Sequence, residues 1–326
     1  MPLSEFSIIE HYFTRRHRRA DVVLGVGDDA ALLAVPPGMQ LAVCVDALVA
    51  GRHFPLETSP EAVGHKALAV NLSDLAAMGA EPAWATLALT LPEADERFLA
   101  GFAAGFYRLA ERYGIELVGG DTVRGPLQIV VQLQGLVPAG AALTRAGARP
   151  GDRLFVTGTL GDAGAGLALV QGALACDEPH GATLRRRLDY PEPRVAAGRS
   201  LCGIASAAID VSDGLLADLG HILDASGVGA ELALDTLPFS AALKSCVGDD
   251  AQRLRLALTS GDDYELCFTV PREKLSRLDS VAVEWDVPLT CIGEIREGAG
   301  IGFRQGELPA GIVGGFDHFG KGNERG

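Results

Sequence analysis

Apolar residues recur at helical spacing near the start of the chain. Phe6, Ile9, Tyr12 and Phe13 predict a helix over residues 4–19. The run Leu41-Ala42-Val43-Cys44-Val45-Asp46 reads as a buried strand ending in an acid. Ser59-Pro60 opens a helix, with serine as cap and proline in the first turn; it runs to Met78 and stops at Gly79. Asn71 and Asp74 lie three residues apart on it, hence on one face. A strand over 84–91 comes next, then an amphipathic helix over 95–113 ended by Gly114. Ile115-Glu116-Leu117-Val118 is a strand running into Gly119-Gly120-Asp121-Thr122, and the alternation over 128–137 predicts an antiparallel strand. Residues 138–151 are rich in Ala, Gly and Pro and mark a boundary. Beyond it come a strand over 154–157, a glycine-rich turn over 158–166 opening a helix, and a helix over 193–205. A short strand over 208–211 leads to Ser212, expected to cap a helix that carries Leu215, Leu216, Leu219, Ile222 and Leu223 and that Gly227 ends. Strands over 230–234 and 264–270 complete the pattern. The interleaving predicts an α+β fold with α/β layers in two domains: residues 1–138, a linker over 139–150, and residues 151–326.

The 326 residues suit two domains, and 48% hydrophobic content allows large cores. A net charge of −14 argues against nonspecific nucleic-acid binding and against an anionic membrane surface. No run approaches the roughly 18 apolar residues of a membrane span, so no membrane partner is expected. Arg15-Arg16-His17-Arg18-Arg19 has the look of a twin-arginine signal, but acids at Asp21, Asp28 and Asp29 interrupt the stretch beyond it. The six cysteines, Cys44, Cys176, Cys202, Cys246, Cys267 and Cys291, form no C-x-x-C pair. They read as reduced core thiols of a cytoplasmic protein, without a zinc site.

The chemistry lies in the acids. Gly25-Val26-Gly27-Asp28-Asp29 brings two carboxylates through a glycine turn. Alone it is as well read as a solvated surface turn. Acids recur, however, after apolar strands at Asp46, Asp121 and Asp210, with Asp74 and Asp213 on or beside helices. Two unit charges 4 Å apart cost about 4 kcal/mol at an effective dielectric near 20, so converging carboxylates need cations. Oxygen ligands without His or Cys favour Mg²⁺, which is commonly shared with substrate phosphates. The pattern thus points to a phosphate substrate, and a nucleotide in particular. Taken singly, each aspartate is equally a cap or turn residue, Asp213 especially. Residues 158–166 match neither G-x-x-x-x-G-K-[ST] nor G-x-G-x-x-G, so they serve either phosphate binding or close helix–strand packing. Ser260-Gly261-Asp262-Asp263-Tyr264-Glu265 is a second acidic turn. His53 is suited to a phosphate contact or a surface position, and Arg145 to a nucleotide phosphate or a surface ion pair. No Ser-His-Asp or Cys-His nucleophile pattern is present.

At Gly25-Val26-Gly27-Asp28-Asp29, Ala69-Val70-Asn71-Leu72-Ser73-Asp74-Leu75-Ala76-Ala77-Met78-Gly79-Ala80, Gly119-Gly120-Asp121-Thr122, Asp210-Val211-Ser212-Asp213-Gly214-Leu215 and Ser260-Gly261-Asp262-Asp263-Tyr264-Glu265-Leu266 the chain resembles the thiamine-monophosphate kinases of the aminoimidazole-ribonucleotide-synthetase superfamily. The resemblance runs from about Glu5 to the Gly315-Phe316-Asp317-His318-Phe319 tail. It implies a PurM-like fold whose N-terminal mixed sheet pairs in a homodimer. It implies direct in-line transfer of a phosphoryl group from ATP, the co-substrate, to thiamine monophosphate, with several Mg²⁺ ions and K⁺ as a candidate further ion. By position, Asp29, Asp46, Asp74, Asp121, Asp210 and Asp213 resemble the metal ligands, with the backbone carbonyls of Cys44 and Val45. Gly120, Asp121, Arg145 and Ser212 resemble nucleotide contacts, and His53, Asp262 and Phe316 substrate contacts. The family often has Ser or Thr at the places of Cys44 and Val45, Glu at that of Asp262, and Tyr or Trp at that of Phe316. These departures remove side-chain ligation at 44 and 45 while leaving the backbone carbonyls, shorten the reach of position 262 by one methylene, and leave Phe316 able to stack but not to hydrogen-bond. Rival readings are another ATP-dependent member of the superfamily, a Mg²⁺-dependent phosphohydrolase, or a metal-binding protein that turns over nothing.

Overall fold

The structure, a computed structural model, describes residues 4–304 and Leu308. It divides into two units, residues up to 142 apart from 76–79, and residues 143 onward with 76–79.

In the first unit a short helix α1 (Glu5–Ile8) is capped by Ser4, whose hydroxyl accepts from Ser7 N, and passes into a wide turn over Ile9–Phe13. The helix expected over 4–19 therefore ends at Phe13. The backbone N–H groups of Arg18 and Arg19 bind the Glu116 carboxylate instead of a preceding turn. A small hairpin, β1 (Val22–Leu24) with β2 (Leu32–Leu33), comes next. The main sheet has the order β3-β6-β4-β5, from β3 (Met39–Val49), β4 (Glu81–Leu91), β5 (Glu116–Arg124) and β6 (Gln128–Pro138). Its pairs are antiparallel except β4 with β5.

Helices α2 (Pro60–Ala77) and α3 (Glu96–Tyr113) cover one face. Ser59 caps α2 through Ala62 N, Asp95 caps α3 through Arg97 N, and Gly114 at φ 64° ends α3. The two helices approach backbone to backbone, since a Cβ on Gly105 would come within 1.9 Å of the Glu61 carbonyl oxygen. Beneath them Leu87, Leu89, Ile129, Val131 and Leu133 are buried. The other face stays open, with Leu41, Val43 and Val45 between 45% and 59% exposed. The expectation of a fully buried β3 is corrected: it is an edge strand buried on one side only, and its apolar residues on both faces hide the alternation.

The second unit is built on a six-stranded sheet of order β12-β9-β11-β7-β10-β8. Its strands are β7 (Arg153–Thr157), β8 (Ala207–Asp210), β9 (Gly229–Ala233), β10 (Leu266–Val270), β11 (Leu289–Arg296) and β12 (Gly300–Arg304), with only the β12–β9 pair parallel. Around it run α4 (Asp162–Val170), α5 (His180–Asp189), α6 (Val195–Leu201), α7 (Leu215–Ser226), α8 (Ala241–Cys246), α9 (Asp250–Thr259) and α10 (Leu275–Ala282). Leu154, Val156, Ile209, Leu215, Leu219, Ile222 and Leu232 form its core. Each such fully buried side chain contributes about 1.5–3 kcal/mol.

Ser212 does not cap α7; Gly214, at φ 107°, occupies that position. The strand expected from 264 starts at Leu266, because Tyr264 has φ 51°. Not all cysteines are thiols. Cys176, ahead of α5, and Cys246, at the end of α8, are joined by a disulfide with Cα atoms 5.0 Å apart. The packing of Leu184 of α5 against Leu243 of α8 brings these segments together, and a separation of 70 residues leaves no spacing signal. Among the described residues no helix is long and apolar enough to cross a membrane.

Candidate active site

In the first unit the loop between β1 and β2 holds the opening acids. Asp28 Oδ1 accepts the Asp29 N–H at 2.9 Å, so Asp28 shapes the loop while the exposed Asp29 side chain is presented by it. On β3, Cys44 and Asp46 occupy alternate positions on the side facing α2. The Cys44 thiol is 3.4 Å from the Asn71 carbonyl oxygen. Burial raises the thiol pKa, and the charges of Asp74 and Asp46 raise it further. Cys44, Asp46 and Asp74 thus share one negative locality between strand and helix. The Val45 side chain points to the open face. His53 lies in the turn after β3 and accepts the Val49 N–H at Nδ1 (2.9 Å).

Asp121 stands elsewhere. It lies inside β5, beside Ala88, exposed on the open face, and its Oδ1 accepts the Thr122 N–H at 2.9 Å. β3 and β5 are the two edges of the sheet, three strand spacings apart, which puts Asp46 and Asp121 about 14 Å from each other. Their side chains also leave opposite faces, so the sheet does not bring these two acids together. Gly120 precedes Asp121 at φ 151°, where a Cβ would come within 1.9 Å of the Leu87 carbonyl oxygen; only glycine fits.

In the second unit Asp210 ends β8, buried, and leads into the Val211–Gly214 turn. Asp218, on the first turn of α7, accepts the N–H groups of both Ser212 and Asp213 at Oδ2, each at 3.0 Å. Burial and the charge of Asp210 push its pKa up to about 8, against the Asp213 N–H bond. The Ser260–Glu265 turn is laid against the same segment: Asp262 N donates to Ser212 O and Tyr264 N to Val211 O, both at 2.8 Å. A Cβ on Gly261 would come within 2.2 Å of Ser212 O. Asp262 has φ 60°, and its Oδ1 accepts the Tyr264 hydroxyl at 2.9 Å.

Behind this turn lies a buried charge network. Glu265 accepts from Arg194 (Nε at 2.6 Å, Nη2 at 2.5 Å), Arg187 (2.7 Å) and the Thr157 hydroxyl (2.7 Å). Burial opposes its ionisation, but Arg194 and Arg187 outweigh that and hold the carboxyl below its usual range. Asp263 accepts the Gly161 N–H at 2.8 Å; burial, with Asp162 and Glu265 nearby, drives its pKa well up. The glycine-rich 158–166 stretch therefore serves packing, since a Cβ on Gly158 would meet Glu265 Oε1 at 2.0 Å. Arg145 is exposed at the other end of β8: Thr144 O binds Ala208 N, and Arg145 O accepts from Ser226 at the end of α7. It is not beside Ser212. Phe316 lies outside the described residues.

The structure gathers Cys44 with Asp46 and Asp74, and Asp210 with Ser212, Asp213 and Asp262. Among the described residues no three His, Cys, Asp or Glu groups converge on one ion position. Each locality nevertheless fits a hard divalent cation: its donors are carboxylate oxygens, and burial first, then neighbouring carboxylate charge, raises the Cys44 and Asp218 pKa values there. The sequence reading missed Asp218, which resembles any helix acid. The one available signal was its position four residues after Gly214, where a side chain can reach back to the turn. It also missed the pairing of Glu265 with Arg187 and Arg194, which no local pattern encodes.

The family model described as AIR synthase related protein, N-terminal domain, matches residues 27–138, and that of the C-terminal domain matches residues 149–305. The thiamine-monophosphate kinase of Salmonella typhimurium is 50% identical over 324 residues, covering 98% of this chain and 99% of the relative. The crystal structure of thiamine-monophosphate kinase from Stenotrophomonas maltophilia has a TM-score of 0.83 at 50% identity, over 88% of this chain and 92% of that one. A structure described as AaThiL complexed with AMPPCP and TMP has a TM-score of 0.75 at 35% identity, over 88% and 89%. With kinship of this degree over nearly its whole length, the chain belongs to the thiamine-monophosphate kinase family of AIR synthase related proteins.

Proposed function

We propose that this protein transfers the γ-phosphoryl group of ATP to thiamine monophosphate, giving ADP and thiamine diphosphate. The observation that carries the reading is the 50% identity to a thiamine-monophosphate kinase across 98% of the chain. AMPPCP and TMP, bound by AaThiL, are the kind of pair such a transfer requires. Phosphoryl transfer asks for alignment and charge neutralisation more than for covalent protein chemistry. The acceptor is already an anion, so no strong general base is needed, and the absence of a nucleophile pattern in the sequence accords with direct transfer.

Asp29, Asp46 and Asp74 are the proposed metal holders of the first unit, with the carbonyls of Cys44 and Val45. Asp121 is proposed as a further ligand reached from the open face, and Asp210 and Asp213 as those of the second unit. Mg²⁺, when bound, would offset the repulsion between two anionic reactants. Gly120 leaves room for close backbone approach to the nucleotide, Ser212 offers its hydroxyl, and Arg145 offers a guanidinium. Asp218 holds the Ser212–Asp213 turn open through the two N–H groups it accepts. His53, Asp262 and Phe316 are proposed to face thiamine monophosphate.

The open apolar sheet face with Leu41, Val43 and Val45 supports pairing with a second copy, because a patch of this kind is rarely left in water. Light scattering should give a dimer mass, and Val43→Glu with Val45→Glu a monomer. A cytoplasmic setting, and K⁺ as an added ion, complete the proposal; replacing K⁺ by Na⁺ in the assay tests the latter. The decisive experiment is one incubation with Mg-ATP and thiamine monophosphate, resolved by chromatography. Thiamine diphosphate and ADP should appear in equal amounts. Inorganic phosphate without thiamine diphosphate would overturn the assignment in favour of a phosphohydrolase.

A further inference from the structure

The basic run Arg15-Arg16-His17-Arg18-Arg19 has no part in the reaction derived above. It lines an open cavity of about 840 Å³ in the first unit, with Tyr107 of α3 and the segment leading into β5 on the other side. Two carboxylates in the lining, Glu111 and Glu116, are already engaged. Glu111 pairs with Arg15 at 2.7 Å. Glu116 is 2.8 Å from His17 Nδ1 and also accepts the backbone N–H groups of Arg18 and Arg19. Arg19 pairs with Asp21 at 2.7 Å, and Arg15 lies 3.4 Å from the Tyr107 ring centroid. The Arg16 and Arg18 side chains are exposed and make no ion pair among the described residues. In a chain of net charge −14, two uncompensated guanidiniums at a cavity of this size reverse the local sign. Guanidinium forks match phosphate oxygens and bind them bidentately.

We propose that this cavity is a second anion site, separate from the phosphoryl-transfer site, which takes a small molecule carrying linked phosphates on Arg16 and Arg18. Glu116 begins β5 and Asp121 lies five residues further on, about 16 Å along an extended strand, so the cavity is apart from the nucleotide contacts proposed above. It adjoins the Gly25–Asp29 loop, because the His17 ring lies where a Cβ on Gly25 would come within 1.9 Å of Nε2. An occupant of the cavity therefore sits one side chain away from the loop that presents Asp29.

The test uses the full chain in EDTA, where the acidic loops lack cations and repel anions. Tripolyphosphate, ADP and thiamine diphosphate are titrated separately by calorimetry. Tripolyphosphate should bind at one site per chain, and an Arg16→Ala/Arg18→Ala double variant should bind it at least 10-fold more weakly. The corresponding double lysine variant should recover part of the affinity. Displacement of tripolyphosphate by ADP or by thiamine diphosphate identifies which linked phosphate the site prefers. Both arginines are exposed, so the variants should melt as the wild type does. Three results would each overturn the proposal: no binding by the wild type, equal binding by the double alanine variant, or a KM for Mg-ATP that rises in step with the lost tripolyphosphate affinity. The last would make the cavity part of the ATP site.

Discussion

In the first unit the proposed metal acids stand on open or half-open ground: Asp29 and Asp121 are exposed, and Asp46 and Asp74 are half-buried beside a thiol. In the second unit Asp213 and Asp262 are half-buried as well, but the acids beside and behind them are sunk into the fold. Asp210, Asp218, Asp263 and Glu265 are all buried, and three of them are held by named N–H, hydroxyl or guanidinium donors. The two regions carry similar chemistry with different dependence on the protein around them. Acids of the first kind stand in more open surroundings, and their replacement is expected to cost function more than stability. Acids of the second kind are structure as well as chemistry, so their replacement changes both.

The largest effect that would separate the two regions is at Glu265. Removing one member of a buried ion network leaves the others uncompensated, so Glu265→Ala should cost about 3–5 kcal/mol of stability, read by urea denaturation. A variant as stable as the wild type would place the network outside the folding energetics. The pH dependence has a fixed sign. The folded-state pKa of Glu265 lies below the usual glutamate value of 4.5, so its stabilisation is present above that value and is lost as the pH falls through the lower folded-state pKa. Stability of the wild type should therefore drop below about pH 4.5 more steeply than that of Glu265→Gln.

Asp74→Asn should do the reverse: melting unchanged, turnover reduced by about 10²-fold or more, as for loss of one preorganised electrostatic group. Near-normal turnover would remove Asp74 from the metal set. Asp218→Ala removes the oxygen that accepts the Ser212 and Asp213 N–H groups and leaves both without that acceptor. It should cost about 1–2 kcal/mol in stability and lower turnover as well, a mixed signature that neither Asp74→Asn nor a purely structural change would give. The smallest effect divides the opening pair. Asp29→Asn should weaken Mg²⁺ dependence with no change in melting, while Asp28→Asn should loosen the loop by about 0.5 kcal/mol and leave Mg²⁺ dependence near normal. Identical behaviour of the two variants would erase the distinction drawn from the Asp28–Asp29 hydrogen bond.

How much of the molecule is legible in its chain depends on the range of the interaction. The α2 cap at Ser59, the α3 stop at Gly114 and the antiparallel β6 are set by neighbours in sequence, and the pattern shows them. The half-burial of β3 escaped because Leu41, Val43 and Val45 make its open face as apolar as its covered one. Helices α5, α8, α9 and α10 escaped as well, their short, charged sequences giving weak periodicity. At the candidate site the individual aspartates were legible beside glycine turns and apolar runs. Their grouping was not. Which edge of the sheet Asp121 occupies depends on the strand order, and the arginines that neutralise Glu265 lie 71 and 78 residues away. The Cys176–Cys246 bond belongs to the same class.

Asp262 and Tyr264 bear on how this sequence can change. Both hold left-handed backbone angles that cost a side-chain-bearing residue about 1 kcal/mol or more, while their side chains bind each other across the turn. Asp262→Gly would relieve that strain, and the turn would be no less stable, yet the carboxylate beside Ser212 would be gone. With Asp262 in the substrate-facing role proposed for it, selection for robustness and selection for turnover would pull this codon in opposite directions. Libraries screened for thermal tolerance alone should accumulate glycine at 262 and lose activity, while those screened for both should keep an acid there.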